Sequence, residues 1–144
     1  MNSMVSFVGS TVSLVIQVVV LALIIGALII KRQNKYRQHG IVMLSAVILH
    51  IISIFAVMVP SFAEFYAMPS LIDYADVFVI LTLVHVVSGV ISAVLGVWIV
   101  GSWHLQKDIK PCFRKKRIMD VTVTLWLLAL LLGIVLYLKI IGTI

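Results

Sequence analysis

The chain has 144 residues, the length of one ordinary domain, yet 63% of it is hydrophobic and only 11% charged, against roughly 45 to 50% apolar and about 25% charged in soluble domains. A globule of this size still exposes about a third of its unfolded-chain surface, so a water-soluble fold would present wide apolar patches, and lipid is the solvent that fits. The net charge of +6 sits mostly in short segments between apolar runs, which makes it a topology signal, with attraction to anionic headgroups, and not a nucleic-acid footprint.

Four runs are long enough to cross a bilayer, which takes about 20 apolar residues at 1.5 Å each: 11–30, 40–59, 77–100 and 121–141. Only the last contains a charged side chain, Lys139, close enough to the end to snorkel. β-Branched residues are frequent, but runs of this length without polar alternation are not barrel strands, and an open sheet does not survive in lipid. The expected fold is all-α: one transmembrane domain over 1–144, an up-and-down four-helix bundle. The first run has no basic n-region, since the first Lys or Arg is Lys31, and no small-residue cleavage site follows it. It reads as a retained span.

The connections carry the orientation. The first holds Lys31, Arg32, Lys35 and Arg37, the third Lys107, Lys110, Arg114, Lys115, Lys116 and Arg117, and the second no basic residue but Glu64, Asp73 and Asp76. Basic loops stay cytoplasmic, which puts both chain ends outside. Phe62, Phe65, Tyr66 and Tyr74 fall at the outer boundary, and Trp98 and Trp103 at the inner one, as interfacial aromatics do. A single cysteine, Cys112, excludes an intramolecular disulfide and a cysteine-based metal cluster.

The spans hold no carboxylate or arginine, so the four histidines stand out as candidates for chemistry: His39, His50, His85 and His104. His50 lies about 10 residues, roughly 15 Å, from the inner boundary, and His85 about 8 residues, roughly 12 Å, from the outer one. In a core of roughly 30 Å their depths differ by about 3 Å. Two imidazoles at one depth on antiparallel neighbours can hold a haem iron or be hydrogen-bonded to each other. His50 and His85 are therefore the candidate cofactor site, with haem b as the cofactor. Thr82, Ser88, Gly89, Ser92 and Gly96 make the face around His85 small; it is either room for a macrocycle or a seam where two backbones approach. Gln17, near the depth of His85, is a candidate for orienting its ring or for joining helices. His39 and His104 are a secondary pair at the inner boundary, where headgroup contacts also explain both. Met58 and Met68 beside acidic residues would suit copper, but they form no repeated pattern.

The stretch HGIVMLSAVILH (39–50), running on to VMVPSF (57–62), together with LVHVVSGVISAVLGVWIV (83–100) and RKKRIMDVTVTLWLLALLLGIVLY (114–137), resembles the last three helices of a small membrane family long labelled as of unknown function. That family includes the bacterial CtaM/YozB maturation factors of haem-copper terminal oxidases. The resemblance covers roughly residues 30 to 140 and matches His39, His85, Trp126 and Tyr137; His50 resembles a feature of only a subset. It implies a non-enzymatic accessory role beside a respiratory oxidase.

Three functions follow as expectations: such an accessory or maturation factor, a small bis-histidine b-type cytochrome, or a structural subunit of a larger membrane complex. There is no nucleophile elbow, P-loop, paired carboxylate or zinc-protease motif, and Pro60, Pro69 and Pro111 fall at edges or in loops, which disfavours the broken helices of transporters. A reporter fused after Ile144 is expected to be active only outside the cytoplasm, and one inserted near Lys115 only inside. A cytoplasmic C-terminus reverses the orientation.

Overall fold

A helix in hydrocarbon satisfies its own backbone, so the apolar runs are helical for the same reason that they are apolar. The computed structural model describes residues 2–67, 76–103 and 114–143, the side chains of 2–6, 65 and 66 excepted. Its helices are α1 (Asn2–Arg32), α2 (Tyr36–Ser53), a π-helical turn (Ile54–Met58), α3 (Val59–Tyr66), α4 (Val77–Trp103) and α5 (Lys116–Ile140). Among the described residues there is no strand. Four spans are long and apolar enough to cross a membrane: Phe7–Arg32, Tyr36–Glu64, Val77–Trp103 and Lys116–Ile140, with 25 to 29 residues each. The protein is a multi-pass membrane protein. At about 1.5 Å per residue the spans outreach a core of about 30 Å, so their ends lie among the headgroups.

Local chemistry sets the helix ends. Asn34 has φ 60°, a left-handed conformation that asparagine tolerates, and turns the chain between α1 and α2. Asp76 Oδ1 accepts the Phe78 N–H at 3.0 Å, capping α4. Gly142, at φ 72°, ends α5: its N–H donates to Lys139 O at 3.1 Å and that of Thr143 to Leu138 O at 3.0 Å, the two bonds of a Schellman motif.

The second span differs from the expected 40–59. Its helix runs on through α3, so Pro60 lies within it and not at its edge. The proline ring collides with the carbonyl four residues back, here Ala56, and offers no N–H. The chain absorbs both defects by widening one turn: Val59 N–H donates to Ile54 O, five residues back, and the helix continues as α3.

The helices form a ring, α1 against α2 and α5, and α4 against α5 and α2. Its centre is Val20, Ile24, Ala46, Val47, Trp126 and Leu130. Unlike in a soluble protein, the outward faces are apolar. Val15, Val94 and Leu131 point outward into lipid, whereas Ser13, Gln17, His39, His50, Ser53, Ser88, Ser92 and Thr122 are buried. The small face of α4 is a packing seam. Ser88 Oγ bonds Val84 O at 2.7 Å and Ser92 Oγ bonds Gly89 O at 2.9 Å, so the hydroxyls are satisfied within their own helix and the backbones can close.

At Gly96 the seam is tight: a Cβ there would stand 3.2 Å from Val47 Cγ2 and 4.0 Å from Trp126 Cζ3. Gly96→Leu should destabilise the bundle by about 1–3 kcal/mol, the usual cost of overpacking. Gly101→Leu on the same helix, where a Cβ meets open space, should cost little in the same detergent-unfolding measurement.

Candidate functional site

Each imidazole among the described residues reaches a backbone carbonyl on a neighbouring helix. His39 Nδ1 on α2 lies 2.7 Å from Ala27 O on α1, His50 Nε2 on α2 lies 3.4 Å from Gly89 O on α4, and His85 Nδ1 on α4 lies 2.8 Å from Ala129 O on α5. A carbonyl only accepts, so the bonded nitrogen carries the proton. Neutral His39 and His85 therefore keep a lone pair on Nε2, and neutral His50 keeps one on Nδ1. The three rings tie α2 to α1, α2 to α4 and α4 to α5. Trp126, almost wholly buried, stands against His50 with ring centroids 4.9 Å apart and planes at 48°.

His50 and His85 line one cavity of about 220 Å³, whose other walls include Gln17, Ile54, Met58, Phe62, Val86 and Leu130. Their ring bonds do not run to each other but to Gly89 and Ala129. Neither ring nitrogen that is bonded points at the other histidine. α2 and α4 approach at Gly96, where a Cβ would stand 3.2 Å from Val47 Cγ2, and His50 Nε2 lies 3.4 Å from Gly89 O, one turn along α4 from His85. Among the described residues, no group of three or more His, Cys, Asp or Glu side chains converges as a metal site would require.

Gln17 holds a different position from the expected ring-orienting one. Ala129 O orients His85, while Gln17 Nε2 donates to Ser13 Oγ at 3.2 Å. Gln17 Oε1 is buried without a partner. It comes up against Gly133 of α5, where a Cβ would collide with Oε1 and stand 3.0 Å from His85 Cε1. Gly133 is thus the gap in α5 that admits side chains from α1 and α4. Trp126 Nε1 and Ser53 Oγ are likewise buried without partners.

A larger cavity of about 400 Å³ runs from Glu64 past Ser10, Ser61, Thr82 and Tyr137 to Gln17 and His85. Tyr137 Oη is 3.3 Å from Thr11 Oγ1, joining α5 to α1. At the opposite, basic end a third cavity, of about 380 Å³, is lined by Lys31, Tyr36, His39, Trp103, Lys115 and Asp120 among apolar neighbours. Trp103 lies on Gly40, whose missing side chain is what allows it. Lys115 donates to Ser102 Oγ and stands 4.9 Å from the Trp98 ring centroid, a cation–π contact. His104, Met68, Asp73, Tyr74, Lys107, Lys110 and Cys112 lie outside the described residues, as do the side chains of Phe65 and Tyr66.

The carbonyl acceptors and the Gly133 gap have no side-chain pattern to betray them. The one available signal for the gap was a lone glycine amid the large residues 131–134.

No family model, curated protein or solved structure matches the chain. The geometry itself makes a claim about energetics. Each clasped carbonyl also belongs to a helix ladder, so losing one ring should be modest: His39→Ala and His85→Ala are each expected to cost about 0.6–1.7 kcal/mol in detergent unfolding. The two share no partner and should add within about 0.5 kcal/mol, whereas His50→Ala and His85→Ala, on one cavity, should couple by more than that.

Proposed function

We propose that this protein is a non-enzymatic accessory or maturation factor of the cell membrane that acts on a respiratory haem-copper oxidase, with its basic connections in the cytoplasm. One observation supports the reading. The residues on which the resemblance to the CtaM/YozB factors rests all lie at contacts between helices. His39 bonds Ala27 on α1, His85 bonds Ala129 on α5, Trp126 fills the centre against His50, and Tyr137 meets Thr11 on α1. Those side chains define the shape of the bundle, which is what a partner-binding factor presents. Its outward faces on α1 and α4 are mostly Val, Ile and Leu, suited to lateral contact with other membrane helices. No step is assigned to haem.

Deleting the gene should lower terminal oxidase activity several-fold while the oxidase polypeptides remain in the membrane. Unchanged activity overturns the reading. Loss of the polypeptides together with the activity favours a structural subunit instead.

A further inference from the structure

We propose that the cavity at the Glu64 end is an aqueous half-channel that delivers protons from that membrane surface to His85, deep in the bundle, and no farther. Its walls carry Ser10, Ser13, Ser61, Thr82 and Tyr137, and Glu64 is exposed at its end. A volume of about 400 Å³ accommodates on the order of ten water molecules at about 30 Å³ each, and these hydroxyls, set among apolar neighbours, give them partners.

Two acceptors mark the floor. Gln17 is only 7% exposed. Its amide nitrogen is turned to Ser13, which sends Oε1 toward Gly133 without any donor. His85 gives its Nδ1 proton to Ala129 O, leaving Nε2 as the second acceptor. A buried acceptor without a donor is costly in hydrocarbon; water from the cavity supplies a donor to His85 Nε2, while Gln17 Oε1 stays covered beside Gly133. The same water brings the proton. It adds to Nε2, the Nδ1–H···O bond to Ala129 is retained, and the new N–H donates to the cavity water.

Delivery stops there for a physical reason. Beyond His85 the cavity shared with His50 is walled by Ile54, Met58, Val86, Val90 and Leu130, and apolar cavities stay dry. Past it, Val20, Ile24, Val47 and Trp126 close the centre. The titratable groups on the cavities around His85 are His50 from α2, Glu64 from α3 and Tyr137 from α5; α1 contributes only neutral Ser10, Ser13 and Gln17.

The test is cysteine accessibility in membrane vesicles, on a Cys112→Ser background, with a membrane-impermeant charged methanethiosulfonate reagent, which needs a hydrated thiolate. Ser13→Cys and Thr82→Cys should react within about tenfold of Glu64→Cys and from the same side, and about a hundredfold faster than Val18→Cys and Ile80→Cys. The last two positions are 51% and 49% exposed and face lipid at neighbouring depths. Equal, slow reaction at all four spanning positions overturns the channel. In wild-type protein with 15N-labelled histidine, the His85 Nε2 resonance should move as the bulk pH is lowered. A His85 signal that ignores pH overturns proton delivery even where the cysteines react.

Discussion

An imidazole N–H in hydrocarbon has no water to turn to, and leaving it unpaired costs several kcal/mol. In this protein His39, His50 and His85 each meet that demand on the main chain of the next helix. The consequence is mutual. The carbonyl dictates which ring nitrogen is protonated, and the ring fixes how far apart and in what register two helices stand. Around the ring of four helices, these bonds tie three of the four adjacent pairs, and the Tyr137–Thr11 contact lies at the fourth. The histidines thereby serve as fasteners as well as candidates for chemistry.

Pro60 shapes the other half of the structure. Its missing N–H and its ring widen the helix at Ile54–Met58, and Ile54, Val57 and Met58 from that turn line the cavities that meet at His85. Non-regular backbone inside a membrane is tolerated where it borders protein or a cavity, and here it borders both. Gly133 makes the complementary opening on α5, by leaving out a side chain where Gln17 and His85 come together.

The two ends of the bundle differ in character. The basic end holds a cavity with His39 and cationic groups beside aromatic rings, Lys115 with Trp98 and Trp103 on Gly40, as befits a membrane surface with anionic lipids. The Glu64 end holds hydroxyls, an amide and a histidine that reach inward. Between them sits the apolar centre around Trp126.

The sequence by itself determined the solvent, the helical class and the number of spans, because lipid enforces them residue by residue: 20 apolar side chains in a row have one stable outcome. Singling out His50, His85 and Gln17 required only that polar groups in such runs are expensive. Their partners were decided by tertiary structure alone. Depth along a helix axis can be counted, but the direction of a ring depends on which carbonyl the neighbouring helix brings within hydrogen-bond reach, and backbone atoms are the same in every sequence. Gln17 illustrates the limit, since its chemistry was legible while its turn toward Ser13 and Gly133 depended on a gap in α5. The end of the second helix depended on tertiary structure too. Proline alone reads as a stop, and only the room for a wider turn between packed helices allowed the chain to carry it through.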